Sequence, residues 1–283
     1  MHTRTLSTVL VLLSLPLCWS VGGCTSSTTT SPSSNSPSPG MVSTQDRLRA
    51  DVGVLSTTYA DRNANTRSIL NDSGVWIGKR FAESGYGVDL EQVPTTEGQT
   101  AFNVVAEIKG TTNPSEILVL GAHYDAEVNT PGADDNASGV AVLLELARRF
   151  ANNPQQRTIR FIAYTNEENS NSADGARAGL ANGMGSLTSA TNSKARNENI
   201  VAMLSLEMLG YFSDAPNSQT YPFPAEMGDQ LGINLPTTAN FIAIVGRTID
   251  TPLITQLAES MTTADTIPIV AAPLPPMVTA IYR

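Results

Sequence analysis

Histidine is scarce in this sequence. Of 283 residues only two are histidines, His2 and His123. Zinc sites in proteins are built from imidazole, thiolate and carboxylate groups. A site that needs several imidazoles is therefore excluded within this chain. Any metal site that uses His123 must take its other side-chain ligands from carboxylates.

Cysteine and basic residues are also few. The two cysteines are Cys18 and Cys24, and 17 basic residues face 26 acidic ones, for a net charge of −9 at pH 7. Loss of an N-terminal signal with its one arginine, Arg4, would change this charge to −10. The acidic excess argues against nucleic acid as a partner and offers no basic patch to anionic lipids. A G-x-S-x-G elbow is also absent, which argues against a serine hydrolase.

The N-terminus has the layout of a secretory signal. Arg4 precedes an apolar run, Val9–Leu17, that is too short to span a bilayer as a stable helix. The residues Val21–Cys24 resemble a bacterial lipobox, which implies that Cys24 is lipidated and becomes the new N-terminus. The alternative is a secreted or periplasmic protein whose signal is cut nearby. With Cys18 in the signal and Cys24 lipidated, the mature chain would have no disulfide and no free thiol.

A polar tract follows this cysteine. Residues 25–40 contain eleven Ser or Thr and three Pro. Such a composition cannot bury an apolar core and predicts a flexible tether. We therefore divide the chain into a signal (1–23), a lipidated cysteine with its tether (24–40) and a folded domain (41–283). This division predicts an extracytoplasmic lipoprotein that is anchored to a membrane.

Strands and helices alternate through the domain. Periodicity predicts helices over 44–63, 65–83, 138–150 and 252–261, two strands between 86 and 109, and further strands over 116–123, 158–165, 200–208 and 240–246. The aliphatic run 116–123 is typical of a strand buried on both faces. The alternation predicts an α/β fold with a mostly parallel, mixed central sheet and helices on both faces.

Acidic residues and the one internal histidine lie where these strands end. His123, Glu167, Glu168 and Glu207 fall at or just past strand ends, where ligands bind in parallel sheets. Asp125 lies two residues after His123, so an extended backbone would place both side chains on the same side. Asp125 could then orient the imidazole of a metal-binding histidine.

Each of these signals also has a simpler explanation. His123 could be a core histidine beside a surface Asp, and the pair Asp134 and Asp135 could cap the helix that follows. Glu167 and Glu168 could form a solvated acidic turn, or one could bind metal while the other takes a proton from water. The carboxylate of Glu207 lies in an apolar strand and needs a partner or a metal.

The order of four motifs resembles a known family. HYD (123–125), DDNASG (134–139), NEE (166–168) and SLEMLGYF (205–212) are similar to the motifs of co-catalytic zinc exopeptidases of the aminopeptidase Y and glutamate carboxypeptidase type, metallopeptidase family 28. The resemblance extends from about Phe102 to the C-terminus. It implies the zinc-exopeptidase (aminopeptidase) fold, with two zinc ions.

The resemblance also implies roles for single residues. His123 would bind one zinc, Asp135 would bridge both ions, and Glu168 would bind the second. Glu207 stands where many relatives have Asp as the remaining ligand of the first zinc, and Glu167 would be the general base. The family's carboxylate beside the histidine is Asp125, which we group with the catalytic residues. A cis peptide bond between Asp135 and Asn136 is implied as well.

Two departures from the family pattern affect these expectations. The loop after NEE reads NSNSADGARAG (169–179) instead of a segment with proline and aromatic residues. The second zinc needs a late histidine, and the sequence stops at PPMVTAIYR without one. We therefore expect a C-terminally shortened member that lacks the last elements of the fold and has an incomplete second metal site.

The function expected from these features is that of a zinc-dependent exopeptidase. It would be an aminopeptidase that releases N-terminal residues from peptides by means of metal-activated water. One alternative is a non-catalytic lipoprotein of the same fold that serves as a binding or scaffold module, because the final histidine ligand is missing. Another alternative is an acyl transferase similar to glutaminyl cyclases.

Overall fold

The fold is known from a computed structural model. It describes residues 8–13, for which only the backbone is considered, and residues 42–95, 101–168, 183–221, 228, 232–264 and 267–275. Cys24, the tether and the loop 169–179 lie outside the described residues.

Helices and strands alternate along the described chain, as the sequence predicts. The helices are α1 (Thr44–Thr57), α2 (Arg67–Glu83), α3 (Gly139–Phe150), α4 (Gly185–Ala195) and α5 (Thr251–Ala264). The strands are β1 (Thr8–Leu13), β2 (Val88–Val93), β3 (Ala101–Ile108), β4 (Asn113–His123), β5 (Arg157–Tyr164), β6 (Asn199–Glu207), β7 (Ile242–Arg247) and β8 (Ile269–Leu274). Short helical turns span Ala64–Thr66, Ala133–Ser138 and Thr248–Asp250.

The described strands form one mixed sheet in the order β2-β3-β5-β4-β6-β1-β7-β8. Four of its seven neighbouring pairs are parallel: β5 with β4, β4 with β6, β6 with β1, and β7 with β8. The other three pairs are antiparallel. The predicted mostly parallel, mixed sheet is confirmed, and its parallel centre is β5-β4-β6.

Alternate residues of the central strands face two separate layers. Phe161 and Ala163 of β5 belong to a large cluster with α1, α2 and α3, whereas Ile162 and Tyr164 belong to a smaller cluster on the other face. The hydroxyl of Tyr164 interacts with Ser189 of α4. Because successive side chains of a strand point to opposite faces, α4 lies opposite the first three helices. The predicted covering of both faces is confirmed.

The backbone of β1 lies between β6 and β7. Its residues pair parallel with 203–207 of β6 and antiparallel with 242–246 of β7. The same residues form part of the apolar run that the sequence assigns to a signal. A short apolar segment suits either role, because a central strand and a signal core have similar composition. The signal assignment stays a prediction.

The first helix is shorter than the sequence predicts. The expected helix over 44–63 ends as α1 at Thr57. Asp61 has a left-handed backbone with a φ of 57°, and the side chain of Asn63 accepts hydrogen bonds from the amides of Asn65 and Thr66. The chain therefore turns away from α1 and begins a new helical turn, because the Asn63 side chain caps that turn.

Two elements have weak sequence signals and were not predicted. The sequence of α4, GSLTSATNSKA, is polar with few large apolar residues. The strand β8, IVAAPL, ends in Pro and Leu and occupies an edge of the described sheet. An edge strand tolerates Pro because one side of it needs no hydrogen-bond donor.

A buried ion pair connects the helices of the larger layer. Glu145 of α3 is 5% exposed and accepts two hydrogen bonds from Arg47 of α1, at 2.9 Å from Nε and 2.7 Å from Nη2. Hydrogen bonds from Arg47 lower the pKa of Glu145 to about 2. Asp51 of α1, 2% exposed, contacts Arg148 of α3 and Arg80 of α2. Three helices are thus joined by charge as well as by apolar packing.

Among the described helices, none has a stretch both long and apolar enough to cross a lipid bilayer.

Replacing Glu145 by Gln tests this connection. We expect Glu145→Gln to lower the free energy of unfolding by about 2 kcal/mol at pH 7, since the folded-state pKa of about 2 lies below the ordinary value of 4.5. The stabilisation that comes from a lowered folded-state pKa is fully present above the ordinary pKa of 4.5. It is lost as the pH falls toward 2. The difference between wild type and variant should therefore shrink between about pH 4.5 and pH 2.

Urea denaturation with a chelator present measures this difference without any contribution from bound metal. The matched control is Glu83→Gln, which removes an exposed carboxylate from its pair with Arg80 and should change the free energy of unfolding by less than about 0.5 kcal/mol. Equal effects of the two substitutions would contradict a stabilising role for the buried pair.

Candidate metal centre

Three neighbouring parallel strands bring the predicted site residues to one edge of the sheet. His123 is the last residue of β4, Glu207 is the last residue of β6, and Glu167 and Glu168 follow the end of β5. The order β5-β4-β6 places β4 in the middle. Because parallel strands end at the same edge, their terminal side chains can converge. His123 is the centre of the resulting cluster.

His123 is buried and surrounded by carboxylates. Its Nε2 atom lies 3.0 Å from Asp135 Oδ1 and 3.3 Å from Glu207 Oε2, and its Nδ1 atom lies 3.4 Å from Asp125 Oδ1. Burial would lower the pKa of His123, but Glu207, Asp125 and Asp135 raise it well above its ordinary value. The imidazole therefore sits in a strongly negative environment.

Asp125 links the two halves of the site. It is 1% exposed, and its Oδ2 accepts a hydrogen bond from the backbone amide of Glu168 at 2.9 Å. Its Oδ1 and His123 Nδ1 are both buried without a hydrogen-bond partner, so their 3.4 Å approach is an electrostatic contact only. This arrangement favours a proton on Nδ1 and leaves Nε2 for a metal ion.

Asp134 and Asp135 have different contacts and different roles. The side chain of Asp135 is 45% exposed and approaches His123, whereas Asp134 Oδ1 accepts a hydrogen bond from the amide of Gly210 at 2.7 Å. Ser138 reinforces this second contact, because its hydroxyl donates to the backbone oxygen of Asp134. The peptide bond between Asp135 and Asn136 is cis, as the family resemblance implies. Of the pair, Asp135 belongs to the site and Asp134 holds the segment that follows β6.

Asn136 fixes the position of Glu207. It is fully buried, and its Nδ2 donates to Glu207 Oε2 at 2.6 Å and to the backbone oxygen of Leu206 at 2.8 Å. Its Oδ1 accepts from the amides of Gly139 and Met208. All the hydrogen-bonding capacity of its amide is used, which holds α3 against the end of β6. The sequence pattern presents Asn136 only as a helix cap, so this role was missed.

Glu167 and Glu168 lie beside the imidazole. Ligand atoms of His123, Glu167 and Glu168 lie within 4.8 Å of one another. Desolvation raises the pKa of Glu168 to about 8, and the nearby charge of Asp135 adds to the shift. Desolvation likewise raises the pKa of Glu167, although this side chain is exposed at the edge of the site. The repulsion among these carboxylates would be relieved by a cation.

The donor atoms fit a zinc ion. The ligand atoms of His123, Asp135 and Glu207 lie within 4.8 Å of one another. One imidazole nitrogen with carboxylate oxygens is a donor set that zinc accepts, and a catalytic zinc keeps one position open. The uncompensated negative charge around His123 supports the same conclusion. The fold and the site together define an α/β protein with a candidate zinc centre at the carboxyl ends of its parallel strands.

Comparisons with known proteins identify the family. A profile of peptidase family M28 matches residues 103–268, and the chain belongs to that family. YfbL of Escherichia coli (strain K12), described as an uncharacterized protein, is 34% identical over 233 residues, covering 80% of this chain and 67% of YfbL. A probable zinc metalloprotease of Pyrenophora teres f. teres (strain 0-1) is 36% identical over 154 residues, covering 50% of this chain and 30% of the relative.

A solved structure shares the fold. LapB from Legionella pneumophila aligns with a TM-score of 0.57 and 25% identity, covering 79% of this chain and 53% of LapB. The chain therefore spans about two thirds of YfbL, about half of LapB and about a third of the fungal relative. Membership of the family confirms the predicted enzyme class, that of the zinc metallopeptidases.

Replacing Asp125 by Asn tests the organisation of the site. We expect Asp125→Asn to weaken zinc binding about 10–100-fold, because the charge that orients the imidazole is lost while the shape is kept. Competition with a chromophoric chelator measures the dissociation constant. Asp89→Asn, the same change at an exposed position of β2, is the matched control. An unchanged zinc affinity in Asp125→Asn would show that Asp125 does not support the metal ligand.

Proposed function

We propose that the protein is a zinc-dependent exopeptidase that acts as an aminopeptidase on peptide substrates. The observation that carries this proposal is the convergence of His123, Asp135 and Glu207 beside Glu167 and Glu168. A scaffold protein has no need for a carboxylate placed beside a metal site. Membership of peptidase family M28 supports the same proposal.

The residues of the chain have separate tasks in this reaction. His123, Asp135 and Glu207 would hold the zinc ion, which when bound supplies Lewis acidity and makes water more acidic. The carboxylate of Glu167 takes a proton from the attacking water and passes it to the nitrogen of the departing amine. Asp125 keeps the His123 ring oriented, and Asn136 keeps Glu207 in place.

The donor set supports one tightly bound zinc ion in this chain. The two groups of possible ligands, His123 with Asp135 and Glu207 and His123 with Glu167 and Glu168, share a single imidazole. Its Nδ1 atom faces Asp125, so one nitrogen remains for a metal. Among the described residues, a second ion would find only carboxylates, such as those of Asp135 and Glu168, as further side-chain ligands. Oxygen-only sites bind zinc less well than sites with imidazole.

We further propose that the protein is a lipoprotein anchored outside the cytoplasm. The support for this lies in the sequence alone: the apolar run near the N-terminus, the lipobox-like residues before Cys24 and the polar tether after it. An enzyme anchored in this way would reach peptides near the membrane surface. A secreted or periplasmic form is the alternative.

Replacing Glu167 by Gln tests the proposed reaction. We expect the rate of aminoacyl-nitroanilide hydrolysis to fall about 10²–10⁴-fold, with zinc content unchanged, because the general base is lost. Glu259→Gln is the matched control, since Glu259 is exposed and lies in α5, which contributes no residue to the site.

The same assays separate the competing functions. An aminopeptidase cleaves substrates with a free amino group and spares N-acetylated ones, and a chelator stops it. Cyclisation of N-terminal glutaminyl peptides without hydrolysis would instead support an acyl transferase. Zinc binding with neither reaction, in wild type and in Glu167→Gln alike, would contradict the proposed enzyme and support a binding module.

Replacing Cys24 by Ser tests the anchor. We expect wild-type protein to fractionate with membranes and to incorporate labelled palmitate, and we expect Cys24→Ser to lose the label because no thiol remains for lipid attachment. Membrane fractionation and metabolic labelling of cells that express both forms measure the effect. A wild-type protein found in the soluble fraction, with the same distribution as Cys24→Ser, would contradict the lipoprotein assignment.

A further inference from the structure

A buried arginine lies next to the metal centre, outside the motifs that identify the family. Arg62 follows α1 and is 0% exposed. Its guanidinium donates to the backbone oxygens of Tyr124 at 2.6 Å, Leu55 at 3.0 Å, Pro131 at 3.0 Å and Gly132 at 2.7 Å. Arginine is rarely buried without a carboxylate partner, so four backbone acceptors around one guanidinium need an explanation.

Three of these acceptors lie in the loop that joins two predicted metal ligands. This ligand loop, residues 124–132, begins directly after His123 and ends three residues before Asp135. Nε of Arg62 binds the first residue of the loop, and its two terminal nitrogens bind the last two residues. One side chain thus sets the separation between the two ends of the ligand loop.

The backbone around Arg62 makes further contacts with the ligand loop. The amide of Ala126 donates to the backbone oxygen of Arg62 at 3.0 Å, and the amide of Asp61 donates to Thr130 at 3.0 Å. The amide of Asn129 donates to Asp61 Oδ1 at 2.7 Å. The ligand loop contains no helix or strand, so these hydrogen bonds with the 61–62 segment, together with the turn that Thr130 closes on Glu127, hold its conformation.

The charge of Arg62 also acts on the site. Burial lowers the pKa of Arg62 to about 10, while the negative charges of Asp125, Asp135 and Glu168 oppose this change. Arg62 is therefore charged at neutral pH. Its positive charge faces the acidic cluster, whose carboxylates would otherwise repel one another more strongly.

We propose that Arg62 is a positioning residue of the metal centre, which holds His123 and Asp135 at the separation that zinc binding requires by clamping both ends of the ligand loop. Arg62 touches none of the ligand atoms and contacts no substrate. The geometry of a metal site must be held within about 0.5 Å, and the four hydrogen bonds of Arg62 supply that restraint. The inference rests on the proposed function only in taking the metal to be zinc.

Two substitutions of Arg62 separate shape from charge. Arg62→Met removes both the charge and the planar guanidinium. Arg62→Lys keeps the charge but replaces the guanidinium by a single ammonium group, which cannot reach four acceptors. We expect both variants to raise the zinc dissociation constant at least about 10-fold. In metal-free protein, the amides of Ala126 and Asn129 should also exchange hydrogen faster, because the ligand loop is released.

The control is a second buried arginine that lies away from the ligand loop. Arg160 of β5 is 9% exposed and pairs with Glu107 and Glu198. Arg160→Met should lower the melting temperature but leave the zinc dissociation constant within about twofold, because its contacts are not with the site. If Arg62→Met does not fold, Arg62→Lys carries the test, because lysine keeps the buried charge and changes only the planar guanidinium.

The outcomes decide between a positioning role and a merely structural one. A wild-type zinc affinity in Arg62→Lys would contradict a role for the planar guanidinium. A loss of zinc affinity in Arg160→Met equal to that in Arg62→Met would show that Arg62 contributes only to the stability of the fold. Zinc affinity is measured without substrate. A wild-type protein that binds zinc but hydrolyses no peptide would therefore contradict the proposed function alone, and an unchanged affinity in the Arg62 variants of an active enzyme would contradict this inference alone.

Discussion

The contacts of His123 with Asp125, Asp135 and Glu207 place three carboxylates around one buried imidazole. Carboxylates this close together repel one another: ligand atoms of Asp135 and Glu207, for example, lie within 4.8 Å of each other. Burial strengthens the repulsion because less water screens it. The cluster therefore favours a bound cation. The rest of the site follows from this requirement: the surrounding elements hold the carboxylates close together although their charges oppose it.

The sheet and the first helices share this task. Parallel strands β5, β4 and β6 end at one edge and deliver the glutamates and the histidine. The remaining proposed ligand, Asp135, comes from the helical turn Ala133–Ser138, in which its own backbone is not helical (φ −105°, ψ 98°), so other contacts must position it. Asn136 attaches this segment to β6 from one side, and Arg62 holds the preceding loop from the other. The backbone between two ligands is thus fixed at both ends.

The parts of the molecule that could be predicted from sequence are those with a strong local pattern. The continuous aliphatic run of β4 and the helical periodicity of α3 each predict their element, and the recognisable strands place His123 and Glu207 at strand ends. The polar α4 has no such pattern. Arg62 carries no local signal, because three of its four acceptors are backbone oxygens 62, 69 and 70 residues away in sequence. Only folding shows that an arginine after a helix lies beneath a metal site.

The central claim is that one imidazole, His123, anchors a zinc ion together with carboxylates. X-ray absorption at the zinc edge of the purified wild-type protein tests it most directly. We expect a first shell with a single imidazole and oxygen ligands at about 2.0–2.2 Å, and we expect His123→Ala to lose the tightly bound zinc and the imidazole signal. A wild-type spectrum with two imidazoles or with sulfur ligands, or a spectrum that is unchanged in His123→Ala, would contradict the account.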